Sequence, residues 1–394
     1  MILVFDIGTS LLKGGVFERT GEQVLRAEAP IHLIENQDPL YHEVDPAEWI
    51  SALAAASRRL GLEQYRHIDA VVVSGNGPTL VPAGKDGKPL ANAMTWMDRR
   101  CLKEAEKITE LSGSYIDPTF YLPKVYWIFL HKPEVYDKTE HFFSCPEYID
   151  YLLTGTACTI LPAQQFTKYI WTDDLIRKLS MDPGKFPPFI KPGTLIGRVT
   201  ENAEKRLGIP AGIPVFAGGP DFIMSLLGTA TVHPGRACDR SGTSEGINLC
   251  TEHPIEDKRL LCLGHIIEGY HNISGIISTS GKALEWFKLI TGREKTGYDA
   301  LFEDIRQVPA GSDRLIFLPY LTGERAPIWD PLARGSFIGL TLNHGRREMT
   351  RAVVESVGYA IRDIIEVMEE IGCKVHDLRI TGSQSKSPLW NQIK

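Results

Sequence analysis

Short apolar runs broken by abrupt polar stops open the chain. Ile2-Leu3-Val4-Phe5 has the length of a buried strand, and Asp6 follows at once. Gly14–Phe17 and Val24–Ala27 are two more such runs, reached through the short links "DIGTS" and "RTGEQ". Links this short join antiparallel neighbours, because a parallel crossover needs a dozen or more residues. That argues against a Rossmann unit at this end of the chain. The period then becomes helical in "VDPAEWISALAAASRRL". Asp45 is placed to cap this helix, Pro46 takes its first position, and Glu48 would close a capping box. Val71-Val72-Val73 forms the next strand and ends in "SGNGP", so residues 1–78 are predicted as β-β-β-α-β.

From about residue 95 to 205 the chain is helical, aromatic and proline-rich, with core helices expected to end at Pro133 and Gly155. "GIPVFAGGPDFIMSLLG" predicts a strand over Val215–Ala217, a glycine turn, Asp221 and a short helix. "ACDRSGTSEGINLC" predicts a hairpin, and "STSGKALEW" a helix opening near Gly281. The strongest helical period runs through Met349, Val353, Val357, Ile361, Ile364 and Met368 and stops at Gly372. A strand ("DLRITG") and a helix start ("SPLWNQIK") follow. Gly-Thr-Ser stands at the tip of two predicted hairpins, Gly8–Ser10 and Gly242–Ser244. This repeat predicts two related domains, divided near residues 245–255 and taken as 1–248 and 249–394.

Composition narrows the class. A chain of 394 residues is long for one core. With 43% hydrophobic and 23% charged residues it is an ordinary globular protein. A net charge of −6 without a Lys/Arg cluster gives no nucleic-acid footprint. The seven cysteines include no C-x-x-C pair, which fits a reduced, cytoplasmic protein. Neither a signal peptide nor a membrane-spanning run is visible, so no membrane partner is expected.

Four stretches could carry chemistry. In the first, Gly8, Thr9, Ser10 and Lys13 can converge on a phosphate, and Asp6 could hold Mg²⁺, which takes one or two carboxylates plus phosphate oxygens. The same residues also suit a solvated hairpin. No Walker A motif occurs. In the second, Asp221 projects from "AGGPDF" either as a general base or as a helix cap. In the third, "MTWMDRR", Trp96 and Asp98 could stack on and bond a polyol, or pack at a helix start. In the fourth, Asn76 in "SGNGP" lines a pocket or merely turns the chain.

Together these stretches resemble the FGGY carbohydrate kinase family. "GSFIGLTLNHGRREMTRAVVESVGYAI" is similar to its C-terminal signature through Gly335, Phe337, Gly339, Leu340, Glu348, Met349, Ala352 and Glu355. Lys124-Val125-x-Trp127 matches the N-terminal signature, although Tyr121 stands where a small residue or proline is usual. The resemblance spans essentially the whole chain and leans to the xylulokinase-like branch. It implies an α/β fold of two actin-like (ribonuclease H-like) ATPase domains around a cleft. It implies ATP and Mg²⁺, with a sugar or polyol, a pentulose above all, as the acceptor. A homodimer is open. Residue by residue, it implies Asp221 as catalytic base and Asp6 as metal ligand. It puts Gly8, Thr9, Ser10, Lys13, Gly242, Thr243 and Ser244 on phosphates. Gly281, Glu285, Gly382, Ser383, Gln384 and Ser387 fall on the nucleotide, and Asn76, Gly77, Trp96, Asp98, Asp221 and Phe222 on the sugar.

Two departures stand out. Gly77-Pro78 occupies the place of an Arg-Glu pair in glycerol kinases and of Met-His in D-xylulose kinases, and it offers no side-chain donor. The chain also stops at "SPLWNQIK", before the family's usual end, which predicts an incomplete second domain and weak ATP binding. A catalytically impaired sugar-binding regulator on the same fold is the alternative function.

Overall fold

The computed structural model describes residues 1–62 and 67–394. It divides into two compact units, Met1–Met224 and Ser225–Lys394.

The first unit is built on a six-stranded sheet. In chain order its elements include β1 (Ile2–Ile7), β2 (Leu11–Phe17), β3 (Gln23–Pro30), α1 (Pro46–Leu60), β4 (Ala70–Gly75), α2 (Tyr121–His131), α3 (Cys145–Thr154), β5 (Leu195–Arg198) and β6 (Pro214–Pro220). The strand order is β5-β6-β4-β1-β2-β3. As the short links require, β1, β2 and β3 form an antiparallel meander, whereas β4 and β6 run parallel to β1. Leu3, Phe5 and Ile7 alternate into the core, and Trp49, Leu53, Ala56 and Leu60 of α1 join them there. Asp45 does cap α1, accepting from the Ala47 amide at 2.9 Å. Glu48 does not close the box: its carboxylate takes the His32 amide at 3.1 Å and the His32 ring instead. The aromatic helix α2 ends at His131, two residues short of Pro133, which opens a short helix of its own.

α4 (Asp221–Gly228) follows β6 directly. The second unit then has β7 (Arg236–Ser241), β8 (Glu245–Thr251), β9 (Leu261–Gly264), β10 (His271–Ile277), α5 (Gly281–Ile290), α6 (Arg346–Glu370), β11 (Asp377–Gly382) and α7 (Pro388–Ile393). Its sheet order is β9-β10-β8-β7-β11. The hairpin β7–β8 is antiparallel, β10 extends it, and β11 runs parallel beside β7. This repeats the β1–β2–β3 and β4 arrangement of the first unit. Val353, Val357, Ile361, Ile364 and Met368 of α6 fill the second core, as their spacing predicts. The division of the chain falls before β7, not near residue 248, because both strands of the second Gly-Thr-Ser hairpin belong to the second sheet. Among the described residues no helix is long and apolar enough to cross a membrane.

Candidate active site

In the first unit the candidate residues gather where the parallel strands end. Asp6 of β1 and Gly219 of β6 both pair with Ser74 of β4, and Pro220 pairs with Gly75. Asp6, Asn76 and Asp221 therefore lie at the carboxyl ends of three adjacent strands, the edge at which open α/β sheets bind ligands. Asp221 is the first residue of α4 and is exposed. Gly218 lets two strands approach closely. A Cβ there would lie 2.0 Å from the Val73 carbonyl oxygen, so the glycine admits the neighbouring strand rather than a ligand.

The first hairpin is closed by the Gly8 amide, which donates to the Leu11 carbonyl at 3.1 Å. Asp6 and Lys13 face each other across it, with Nζ 3.6 Å from Oδ2. Burial raises the Asp6 pKa, and the Lys13 ammonium offsets part of that rise. Ser10 is exposed. The Thr9 hydroxyl oxygen accepts the Trp96 indole N–H at 2.9 Å, which leaves its own proton free to donate. From Trp96 a polar chain runs inward. The Trp96 amide donates to the Thr79 hydroxyl at 3.2 Å, Thr79 donates to Asn76 Oδ1, and Asn76 Nδ2 donates to the Ile7 carbonyl at 3.0 Å. The Gly-Thr-Ser turn, Trp96 and Asn76 are thus one connected network. Phe222 packs on Phe166 with ring centroids 5.8 Å apart.

Asp98 differs from its expected sugar-side role. It is fully buried, and its carboxylate takes the His42 amide at 2.9 Å and the Arg100 Nε at 2.9 and 3.0 Å. Arg100 also bridges to Glu43 at 2.7 Å and lies over the Tyr41 ring. Asp98 holds its loop in place, and no oxygen of it is left to reach a ligand.

Lys124 has a part that its signature position alone does not reveal. It is fully buried, and its ammonium donates to the Pro78 carbonyl at 2.6 Å and the Thr95 carbonyl at 2.7 Å. It ties "SGNGP" to "MTWMD". Burial pushes its pKa down to about 7. A single lysine inside the apolar run "KVYWIFL" was the only sequence signal for this.

In the second unit three segments meet at the other Gly-Thr-Ser turn. The Gly281 amide donates to the Gly242 carbonyl at 3.0 Å, and the Ser280 and Lys282 amides donate to the Thr243 carbonyl at 3.1 and 3.2 Å. Gln384 Nε2 donates to the Gly242 carbonyl and to the Ser280 hydroxyl, each at 3.0 Å. Gly382 has φ +96°, and a Cβ there would sit 1.9 Å from the Ser241 carbonyl oxygen. Only glycine fits. Thr243, Gly382 and Ser383 are exposed, and Gly242 and Ser244 are half-buried. Gln384, by contrast, is buried and braces the turn, while Ser387 caps α7 through the Trp390 amide at 3.3 Å. Glu285 is bonded by the Tyr298 hydroxyl and by Lys288 at 3.2 Å.

Beneath this turn lies a buried ionic group that the sequence did not disclose. Lys394 Nζ reaches Asp239 at 3.0 Å and also Glu245, and Glu245 accepts the Ser280 hydroxyl. Burial and the Glu245 carboxylate push Asp239 up to about 8. Asp239 and Glu245 flank the hairpin tip, so their contacts fix its base.

Two like sheets, each opening its first hairpin on Gly-Thr-Ser, define an actin-like (ribonuclease H-like) α/β protein of the ATP-using sugar kinase class. Residues 1–228 match the model of the FGGY family of carbohydrate kinases, N-terminal domain, and residues 240–394 match that of its C-terminal domain. The chain belongs to the FGGY family of carbohydrate kinases, enzymes that phosphorylate sugars with ATP. It is 29% identical over 413 aligned residues to a xylulose kinase of Staphylococcus epidermidis, covering 100% of this chain and 82% of that protein. It is 26% identical to a gluconokinase of Bacillus subtilis, covering 100% and 82%. The crystal structure of xylulose kinase from Rhodospirillum rubrum superposes with a TM-score of 0.82 at 27% identity, over 99% of this chain and 83% of that one. These comparisons give no support to the regulatory alternative.

Proposed function

We propose that the acceptor is a small ketose, a pentulose above all, and that Asp221 takes the proton from the hydroxyl that is phosphorylated. The observation that carries this reading is the position of Asp221, an exposed carboxylate at the carboxyl ends of β1, β4 and β6, beside the Trp96–Asn76 network. The xylulose kinases among the relatives support a pentulose.

Phosphoryl transfer needs positioning and charge neutralisation more than covalent help. The sugar O–H loses its proton to Asp221 while its oxygen forms the new bond to the γ-phosphorus of ATP. The bond from that phosphorus to the β-γ bridging oxygen breaks, and ADP leaves. On the first unit, Lys13 and the free Thr9 proton are donors for phosphate oxygens, and Ser10 is open to them. On the second unit, Thr243 and Ser244 form the matching turn. Gly281, Glu285, Gly382 and Ser383 face the nucleotide, whereas Gln384 and Ser387 act through the backbone they brace. Asp6 fits a Mg²⁺ ion as a single, partly exposed carboxylate at a strand end, and when bound that ion neutralises phosphate charge. The seven free cysteines support a cytoplasmic setting.

A coupled ADP-release assay over pentuloses, hexuloses, polyols and gluconate tests the reading. Sugar-dependent turnover fastest with a pentulose is expected. Turnover confined to gluconate or glycerol would overturn the acceptor assignment.

A further inference from the structure

Gly77 follows the carboxyl end of β4, next to the strand that delivers Asp221. A Cβ built on it would lie 3.8 Å from the Pro220 Cβ. The same Cβ would lie 2.9 Å from the Tyr121 hydroxyl oxygen. The phenol of Tyr121, in the first turn of α2, therefore fills the space that a side chain at position 77 would occupy. The placement is rigid. The Tyr121 ring packs edge-on against Trp171 at 6.3 Å between centroids, and Lys124, one turn along the same helix, holds the adjoining Pro78 carbonyl at 2.6 Å.

From this geometry we infer that Tyr121 is a specificity-determining residue of the sugar site, its hydroxyl supplying the hydrogen-bonding group that Gly77 and Pro78 lack. The inference rests on the sugar kinase reading above. Its chemistry is consistent. Burial raises the phenol pKa well above its ordinary value, and the nearby Glu147, Cys145 and Asp221 act in the same direction, while a hydrogen bond with the Ser144 side chain opposes them. The group stays neutral, and beside its Ser144 bond the buried phenol oxygen keeps a further hydrogen-bonding position for a sugar hydroxyl. A site built on such a bond discriminates against the analogue that lacks the matching hydroxyl. It also explains why position 77 is glycine: a larger residue would collide with the phenol.

Tyr121→Phe, Gly77→Ala and the double variant test this against the preferred sugar and its deoxy analogues. Tyr121→Phe is expected to lower kcat/KM for the sugar by about 10-fold, the scale of one hydrogen bond. It should also erase most of the discrimination against one deoxy analogue and leave the KM for ATP unchanged. Gly77→Ala should impair sugar use in the Tyr121 protein and be tolerated in the Tyr121→Phe protein. An unchanged ranking of sugars and analogues in Tyr121→Phe, or identical effects of Gly77→Ala in both backgrounds, would overturn the inference. Absence of sugar-dependent ADP release from the unaltered protein would instead overturn the kinase reading on which it rests.

Discussion

Replacing Lys124 with Met should change how the stability of the first unit depends on pH. The side chain is fully buried, with its charge facing carbonyls of two loops. Its ordinary pKa of 10.5 falls to about 7, because burial disfavours the ammonium. In the unfolded chain the lysine keeps its proton up to about pH 10.5. Between those two values the unfolded state therefore binds more protons than the folded one, and stability rises with pH. Below about pH 7 both states are protonated, and the cost of the buried charge is constant. Each pH unit inside the window is worth at most ~1.4 kcal/mol. From about pH 7.5 to about pH 9 the linkage integrates to ~2 kcal/mol, gained by the unaltered protein and not by Lys124→Met. Urea unfolding of both proteins, followed by tryptophan fluorescence at the two pH values, measures the gap between them. That gap should shift by ~2 kcal/mol in favour of Lys124 at the higher pH. A gap that stays constant would refute the argument and show that the carbonyls keep the ammonium protonated throughout. The variant should also raise the sugar KM, since the Pro78 and Thr95 carbonyls lose their shared donor.

Two more substitutions separate bracing from binding. Gly382→Ala forces a Cβ into the Ser241 carbonyl at positive φ, a strain of ~1–3 kcal/mol. Initial-rate kinetics should show the KM for ATP raised roughly 10-fold with the sugar KM little changed, because the strain falls on the second unit's turn. Asp98→Asn breaks the buried pair with Arg100, which typically costs ~3–5 kcal/mol. Calorimetry should record a Tm lower by roughly 10 °C. An unchanged Tm with a raised sugar KM would return Asp98 to the ligand.

The meander, the first helix and the repeat were legible because each rests on local rules. Short links force antiparallel pairing, and Asp45-Pro46 is a local start signal. Gly-Thr-Ser recurs between short runs of strand length. Long-range choices were not legible. Glu48 met His32, sixteen residues upstream, rather than the amide at its own helix start. Asp98 and Trp96 are two residues apart and read alike as sugar-side groups. The fold commits the Asp98 carboxylate to Arg100 and joins Trp96 to Thr9. The close approach of Val73 that requires glycine at position 218 is likewise a long-range contact with no local signal. The division of the chain was misplaced because a hairpin shows its turn in the sequence but not the sheet it joins. Lys394 lies 155 residues from Asp239, and no local pattern links them.

The central claim, a carbohydrate kinase whose base is Asp221, is tested most directly by phosphorus NMR of ATP and the preferred sugar with the unaltered protein and with Asp221→Asn. The unaltered protein should form one sugar phosphate for each ADP. Asp221→Asn should lose ~10²–10⁴ in turnover, the usual worth of a general base, while calorimetry shows its affinity for ATP unchanged. Full turnover by Asp221→Asn, or ADP formed without sugar phosphate, would contradict the account.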